Sequence, residues 1–66
     1  MTHDDMLKTV QMCKVMGMAN ATLWTPDDWK APKGFPRRTL LCVPTAGGKT
    51  WSVSTDRLLA WLEKNQ

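Results

Sequence analysis

Three breakers at alternate positions, Pro32, Gly34 and Pro36, stand in the middle of this chain and forbid any regular element from running through it. Proline has no N–H to give to a helix or a central strand, and it drives the residue before it out of helical geometry. Residues 30–38 are therefore expected to form an irregular, extended connection, with Phe35 as its anchor to the core. The rest of the chain divides around it: short helix-compatible runs before, β-rich runs and a last helix after.

Length sharpens this reading. A chain of 66 residues forms one domain at most, because so short a polypeptide buries only about 60% of its unfolded surface and cannot also enclose a deep substrate cavity. The expectation is a single α+β domain over residues 1–66, with residues 1–5 a frayed, disordered start. No enzymatic activity, cofactor or small-molecule substrate is expected of it. Four Trp supply the large bodies that a small core needs, and they are expected inside. Cys13 and Cys42 each lie in an apolar run and read as buried, reduced thiols, in keeping with a cytoplasmic protein. A metal site is not expected from one His, His3, and two distant Cys. Uncharged stretches such as residues 39–48, which hold Pro44 and two glycines, fall well short of the about 20 apolar residues of a membrane span, so no membrane partner is expected.

The net charge of +3 is modest, but its placement is informative. Lys30, Lys33, Arg37, Arg38 and Lys49 fall in a window with no Asp or Glu, whereas the acidic residues are Asp4, Asp5, Asp27, Asp28, Asp56 and Glu63. A field of one sign concentrates a polyanion at one flank of a domain, and nucleic acid is the commonest such partner. The competing reading is a merely solvated basic loop.

Local signals give an element order. Met6, Val10, Cys13 and Gly17 recur at helical spacing, with Leu7, Met12, Val15 and Met16 widening the apolar face, so a helix is expected to end at Gly17. Met6, Met12, Met16 and Met18 read as a packing stripe. Residues 19–24, with Asn20 as a cap, suit one or two helical turns, and Thr25-Pro26-Asp27-Asp28 then signals a further turn of helix through Trp29. Residues 39–43 stop at Pro44, and residues 50–53 alternate polar and apolar after Gly47-Gly48-Lys49, which together predict a β-hairpin. Ser54 or Thr55 caps a last helix in which Leu58, Trp61 and Leu62 share a face.

In this order the chain resembles the small phage and prophage regulators that include AlpA-like transcriptional activators and recombination directionality factors, or excisionases. Residues 12–18 look like the family's first helix, and Ala21-Thr22-Leu23-Trp24 is similar to its recognition-helix signature. Gly34-Phe35-Pro36 with Arg37 resembles the connection into the wing, with one residue fewer between Gly and Phe. Lys49-Thr50-Trp51, then Ser54 and Leu59-Ala60-Trp61-Leu62-Glu63, look like the second wing strand and the C-terminal helix. The chain departs from the pattern at Ala19-Asn20-Ala21, where the family has a Ser cap and an Arg-rich helix, and at the acidic pair Asp27-Asp28.

The resemblance implies a winged helix-turn-helix with two short N-terminal helices, a β-hairpin wing and a C-terminal helix. It implies a sequence-selective, architectural or regulatory DNA-binding protein of a phage or mobile element, acting in the bacterial cytoplasm at the nucleoid. Double-stranded DNA would be the partner, with a tyrosine integrase and further copies of the protein on the DNA. Asn20 and Thr22 would face the groove, Arg37 and Arg38 would clamp phosphates, Lys49 and Thr50 would act from the wing, and Lys30 and Lys33 would add phosphate contacts from the connection. The motif Gly47-Gly48-Lys49-Thr50 is not a nucleotide-binding loop, because the Gly required five places before Gly48 is Val43. The competing functional class is a protein-interaction module, such as an inhibitor of a host regulator, with Asp27, Asp28 and Trp29 as its contact surface.

Overall fold

The computed structural model describes residues 2–42 and 46–65. Its elements run α1 (His3–Val15), β1 (Asn20–Pro26), β2 (Arg38–Leu41), β3 (Gly48–Ser54) and α2 (Thr55–Lys64). The strands form one antiparallel sheet in the order β1-β3-β2. The α+β class stands as expected, and so do the pairing of β2 with β3 and the last helix.

One expected element is overturned. Residues 19–24 do not form a second helix: Asn20–Pro26 is a strand whose seven residues pair with β3 from Asn20 opposite Ser54 to Pro26 opposite Gly48. Among the described residues no helix follows α1 until α2, so the two-helix half of a helix-turn-helix is not present. The turn of helix expected at Pro26 is instead a tight turn, in which the Trp29 N–H donates to the Pro26 carbonyl at 3.0 Å and the Asp27 N–H donates to the Gly47 carbonyl at 3.1 Å.

Helix α1 starts at His3, earlier than expected, because the Thr2 hydroxyl accepts the Asp5 N–H and because Asp4 and Asp5 favour the positive end of the helix dipole. It stops through paired bonds from the Gly17 N–H to the Lys14 carbonyl and from the Met18 N–H to the Cys13 carbonyl, with Gly17 at a φ of 73°. This closure needs a left-handed residue, which glycine adopts without a Cβ penalty. In α2, Ser54 holds the cap position without a side-chain bond, and the Thr55 N–H donates to the Ala19 carbonyl at 3.0 Å.

Both helices cover one face of the sheet. Met6, Val10 and Cys13 of α1 and Leu58 and Leu62 of α2 bury against Ala21, Leu23 and Val53. Each large aliphatic side chain removed from water here contributes about 1.5–3 kcal/mol, and together they oppose the conformational entropy that folding costs. Trp29, Phe35 and Trp61 extend the core through edge-to-face contacts, with Phe35 centred 5.5 Å from Trp29 and 5.1 Å from Trp61. Phe35 is thus the anchor of the connection, which folds back through a turn from Pro32 to Phe35.

Three expectations about burial fail. Met12, Met16 and Met18 are exposed along with Val15, at 61, 67, 44 and 85% of their surface, because the sheet covers only the narrow stripe Met6, Val10 and Cys13. Trp24 is 41% exposed and does not belong to the core. Cys42 is exposed, whereas Cys13 is buried, and both are free thiols. Val43 and Pro44, where the first hairpin strand was expected to end, lie outside the described residues.

Candidate nucleic-acid interface

Strand alternation sorts the sheet into two faces. Ala21, Leu23 and Thr25 of β1 are buried, while Asn20, Thr22 and Trp24 between them are exposed. Partners directly opposite in an antiparallel ladder share a face. The register therefore adds Val53, Trp51 and Lys49 to the helix side, and Ser54, Ser52, Thr50 and Gly48 to the open side. From β2 the same rule puts Arg38 and Leu40 on the helix side and Thr39 and Leu41 on the open side.

The open face is chemically uniform. Asn20, Thr22, Thr39, Thr50, Ser52 and Ser54 give it short hydroxyl and amide groups, and no carboxylate projects from it. Such side chains can donate to and accept from base edges and phosphate oxygens while still allowing a close approach of the backbone. Trp24 and Leu41 are the large apolar bodies on this face, both opposite Thr50. The six-membered ring of Trp24 lies against Gly48, where an added Cβ would fall on the ring and on the Thr25 carbonyl. The indole is thereby held flat at one end of a polar platform.

The residues expected at the interface are distributed over both sides. Asn20 and Thr22 lie exposed on the open face, as a groove-facing role requires, but from a strand and not from a helix. Thr50 joins them opposite Trp24 and is half-buried. Arg37 is exposed immediately before β2, and Lys30 is exposed on the connection. Lys49 is exposed at the start of β3, on the helix side opposite Thr25, and it does not sit at the tip beyond the strands. Lys33 stands on the wall of an open cleft of about 360 Å³ with Met6, Trp29, Trp61 and Leu62, away from the open face.

Arg38 is placed where a phosphate clamp cannot work. Its guanidinium carbon lies 4.2 Å from the Trp51 ring centre, 5.0 Å from that of Trp29 and 5.7 Å from that of Phe35, and Nη1 is buried without a hydrogen-bond partner. The cation is spent on aromatic faces. Trp51 is fixed in turn by its Nε1–H, which donates to the hydroxyl of buried Thr25 at 2.8 Å. Adjacent residues on a strand point to opposite sides, so Arg37 and Arg38 could not have acted as a pair.

Other charges are consumed locally. Lys14 Nζ meets the Asp56 carboxylate at 2.6 Å, and His3 donates from Nε2 to the Leu62 carbonyl at 3.0 Å, joining the start of α1 to the end of α2. No group of three His, Cys, Asp or Glu side chains is gathered among the described residues. Nor is any helix among them long and apolar enough to cross a membrane.

Trp24, Thr39, Ser52 and Ser54 are members of the open face that were not anticipated from sequence. The signal for β1 was the polar–apolar alternation of residues 20–23, which breaks at Leu23-Trp24 and over so few residues is hard to separate from a helical turn. No protein-family model, no curated protein and no solved structure matches this chain.

Proposed function

We propose that this chain binds double-stranded DNA by laying the open face of its sheet against a groove. The observation that carries the reading is a carboxylate-free sheet face, made of hydroxyl and amide side chains with Trp24 and Leu41 among them, in a protein of net charge +3, with exposed Arg37 free of ion pairs among the described residues. Strands are about 4.8 Å apart, so three of them span about 10 Å between outer axes, comparable with the about 12 Å width of the major groove. Asn20, Thr22 and Ser52 would contact base edges, Trp24 would lie along the sugar-phosphate wall, and Arg37 and Lys30 would hold phosphates, whereas Lys49 stands on the other side of the sheet. The experiment is fluorescence anisotropy on labelled duplexes at rising salt. Each phosphate contact gives about 0.9 in log–log slope, so Arg37 alone contributes about 0.9. Absence of binding at low salt, or an affinity indifferent to Thr22→Asp, overturns the reading.

The finer role rests on the resemblance to AlpA-like regulators and excisionases. An architectural or regulatory factor of a mobile element would bind short sites near an integrase or a promoter in a bacterial cell, beside a tyrosine integrase and further copies of itself. A gel-shift series across an attachment region and its neighbouring promoter separates excision from transcriptional control. A second reading, as a protein-interaction module, is favoured by one observation: the exposed apolar group Met12, Val15, Met16 and Met18 at the end of α1. Polarizable, flexible methionines suit adaptable protein contacts. That surface replaces the expected one around Trp29, whose ring packs on Phe35. Substituting Met12 and Met16 by Lys would abolish such a partnership and leave DNA affinity in place.

A further inference from the structure

The two outer strands of the sheet are protected very differently. Strand β2 is short, begins at Arg38, and follows Pro36 and Arg37, three devices that discourage another strand from adding to it. Strand β1 has seven residues and belongs to an uncharged run from residue 15 to residue 26.

The hydrogen bonds show which groups of β1 face outward. The Thr55 N–H reaches the Ala19 carbonyl at one end of the β1–β3 ladder, and the Asp27 N–H reaches the Gly47 carbonyl at the other. Direction alternates along an antiparallel strand, so residues 19, 21, 23, 25 and 27 bond inward. The N–H and C=O of Asn20, Thr22 and Trp24 then line the free edge. Pro26 falls at the next outward position, where it lacks an N–H, and its carbonyl is already occupied by Trp29.

We infer that the free edge of β1 pairs antiparallel with β1 of a second copy of this chain, joining the two sheets across a two-fold axis. Charge selects this occupant. The net charge of +3 works against contact between copies, whereas residues 15–26 carry no charge and bring no like charges together. Antiparallel pairing also brings the start of one β1, beside exposed Met16 and Met18, next to the end of the other, where Trp24 is exposed. An interface of one strand pair and a few side chains is small, so the association depends on concentration.

Sedimentation equilibrium of the full chain without DNA tests this. Wild type should move from one-copy to two-copy mass as concentration rises, and Thr22→Val should behave as wild type. Thr22→Lys, which sets a charge against its own copy, should remain at one-copy mass with an unchanged circular-dichroism spectrum. Amide exchange gives an independent reading should Thr22→Lys fail to fold. The amides of Asn20, Thr22 and Trp24 should slow at least tenfold between dilute and concentrated wild-type protein. One-copy mass at every concentration, association of folded Thr22→Lys equal to wild type, or concentration-independent exchange of those amides overturns the inference. The pairing does not depend on the DNA reading. A doubled sheet is about twice as wide as the major groove, so duplex DNA should dissociate the pair. A pair indifferent to DNA would establish the dimer and count against the DNA reading alone.

Discussion

Strand β1 places two different chemistries on alternate residues: Ala21, Leu23 and Thr25 close against the helices, and Asn20, Thr22 and Trp24 look outward. The inner set is bound to its neighbours by packing and by the bond from Trp51 to Thr25, and the outer set, two polar side chains and Trp24, is exposed. The difference teaches that stability and recognition are separable here at single-residue resolution. Substitutions on the helix side should move the unfolding free energy, and those on the open side should move binding. The largest expected effect is at Leu23, which is 1% exposed. Leu23→Ala removes apolar contacts and leaves a cavity, costing about 3 kcal/mol in urea unfolding, a large share of the stability of so small a domain. A loss below about 1 kcal/mol would mean that the inner face is loosely packed and would break the comparison.

Gly48 lies on the open side against the Trp24 ring and should rank next, as the exception to that separation. A Cβ there would fall against the Trp24 ring and the Thr25 carbonyl, and because one of these neighbours is backbone it cannot simply swing away. Gly48→Ala should destabilise by about 1–3 kcal/mol, as overpacking does, and should shift the emission of Trp24 by displacing its ring. Gly48→Ala in a Trp24→Ala background should recover part of the loss. Absence of any recovery would assign the whole cost to the Thr25 carbonyl.

How much of this could be read from sequence depended on whether a local signal or a distant partner decided the conformation. Gly17 as a stop, the breakers of residues 30–38, Phe35 as anchor, and the face of Leu58 and Leu62 were all legible, because turn chemistry and helical periodicity are local. Residues 20–24 were misread because Ala21, Leu23 and Trp24 suit a helix as well as a strand. The deciding factor was a ladder with β3, some thirty positions away in sequence. The buried stripe of α1 was legible at Met6, Val10 and Cys13. Its width was not, since composition does not reveal how much helix surface a three-stranded sheet can cover. For the candidate site, the exposure expected of Asn20 and Thr22 is observed, but it comes from a strand and not from the expected helix. Arg38 was assigned to phosphate because charge is visible in a sequence and an aromatic enclosure is not.

The neighbours Arg37 and Arg38 sharpen the comparison at intermediate size. Arg38→Met keeps an apolar stem between the rings, loses the stacking on Trp51 and removes a buried Nη1 that lacks a partner. Cation–aromatic attraction of about 0.5–2 kcal/mol and an unsatisfied donor costing about 1–3 kcal/mol oppose each other, so the net change should stay within about 1 kcal/mol. The salt slope of DNA binding should be unaffected. Arg37→Ala should reverse that pattern, with stability nearly constant and the slope reduced by about 0.9. Equal effects on the slope would mean that Arg38 leaves its enclosure when DNA binds.

The smallest expected change in stability, and so the cleanest separation of the two faces, belongs to Ser52. It lies on the central strand opposite both Thr22 and Thr39, at the middle of the polar platform, and its side chain points away from the core. Ser52→Ala removes one hydroxyl from water-accessible surface, so unfolding should change by no more than about 0.5 kcal/mol. If that hydroxyl meets a base edge, losing it should weaken the preferred duplex by about 1 kcal/mol or more while binding to unrelated sequence stays constant. Equal weakening on both duplexes would reassign Ser52 to phosphate. No weakening on either would remove the middle of the sheet from the interface and leave only its edges and Arg37 to hold DNA.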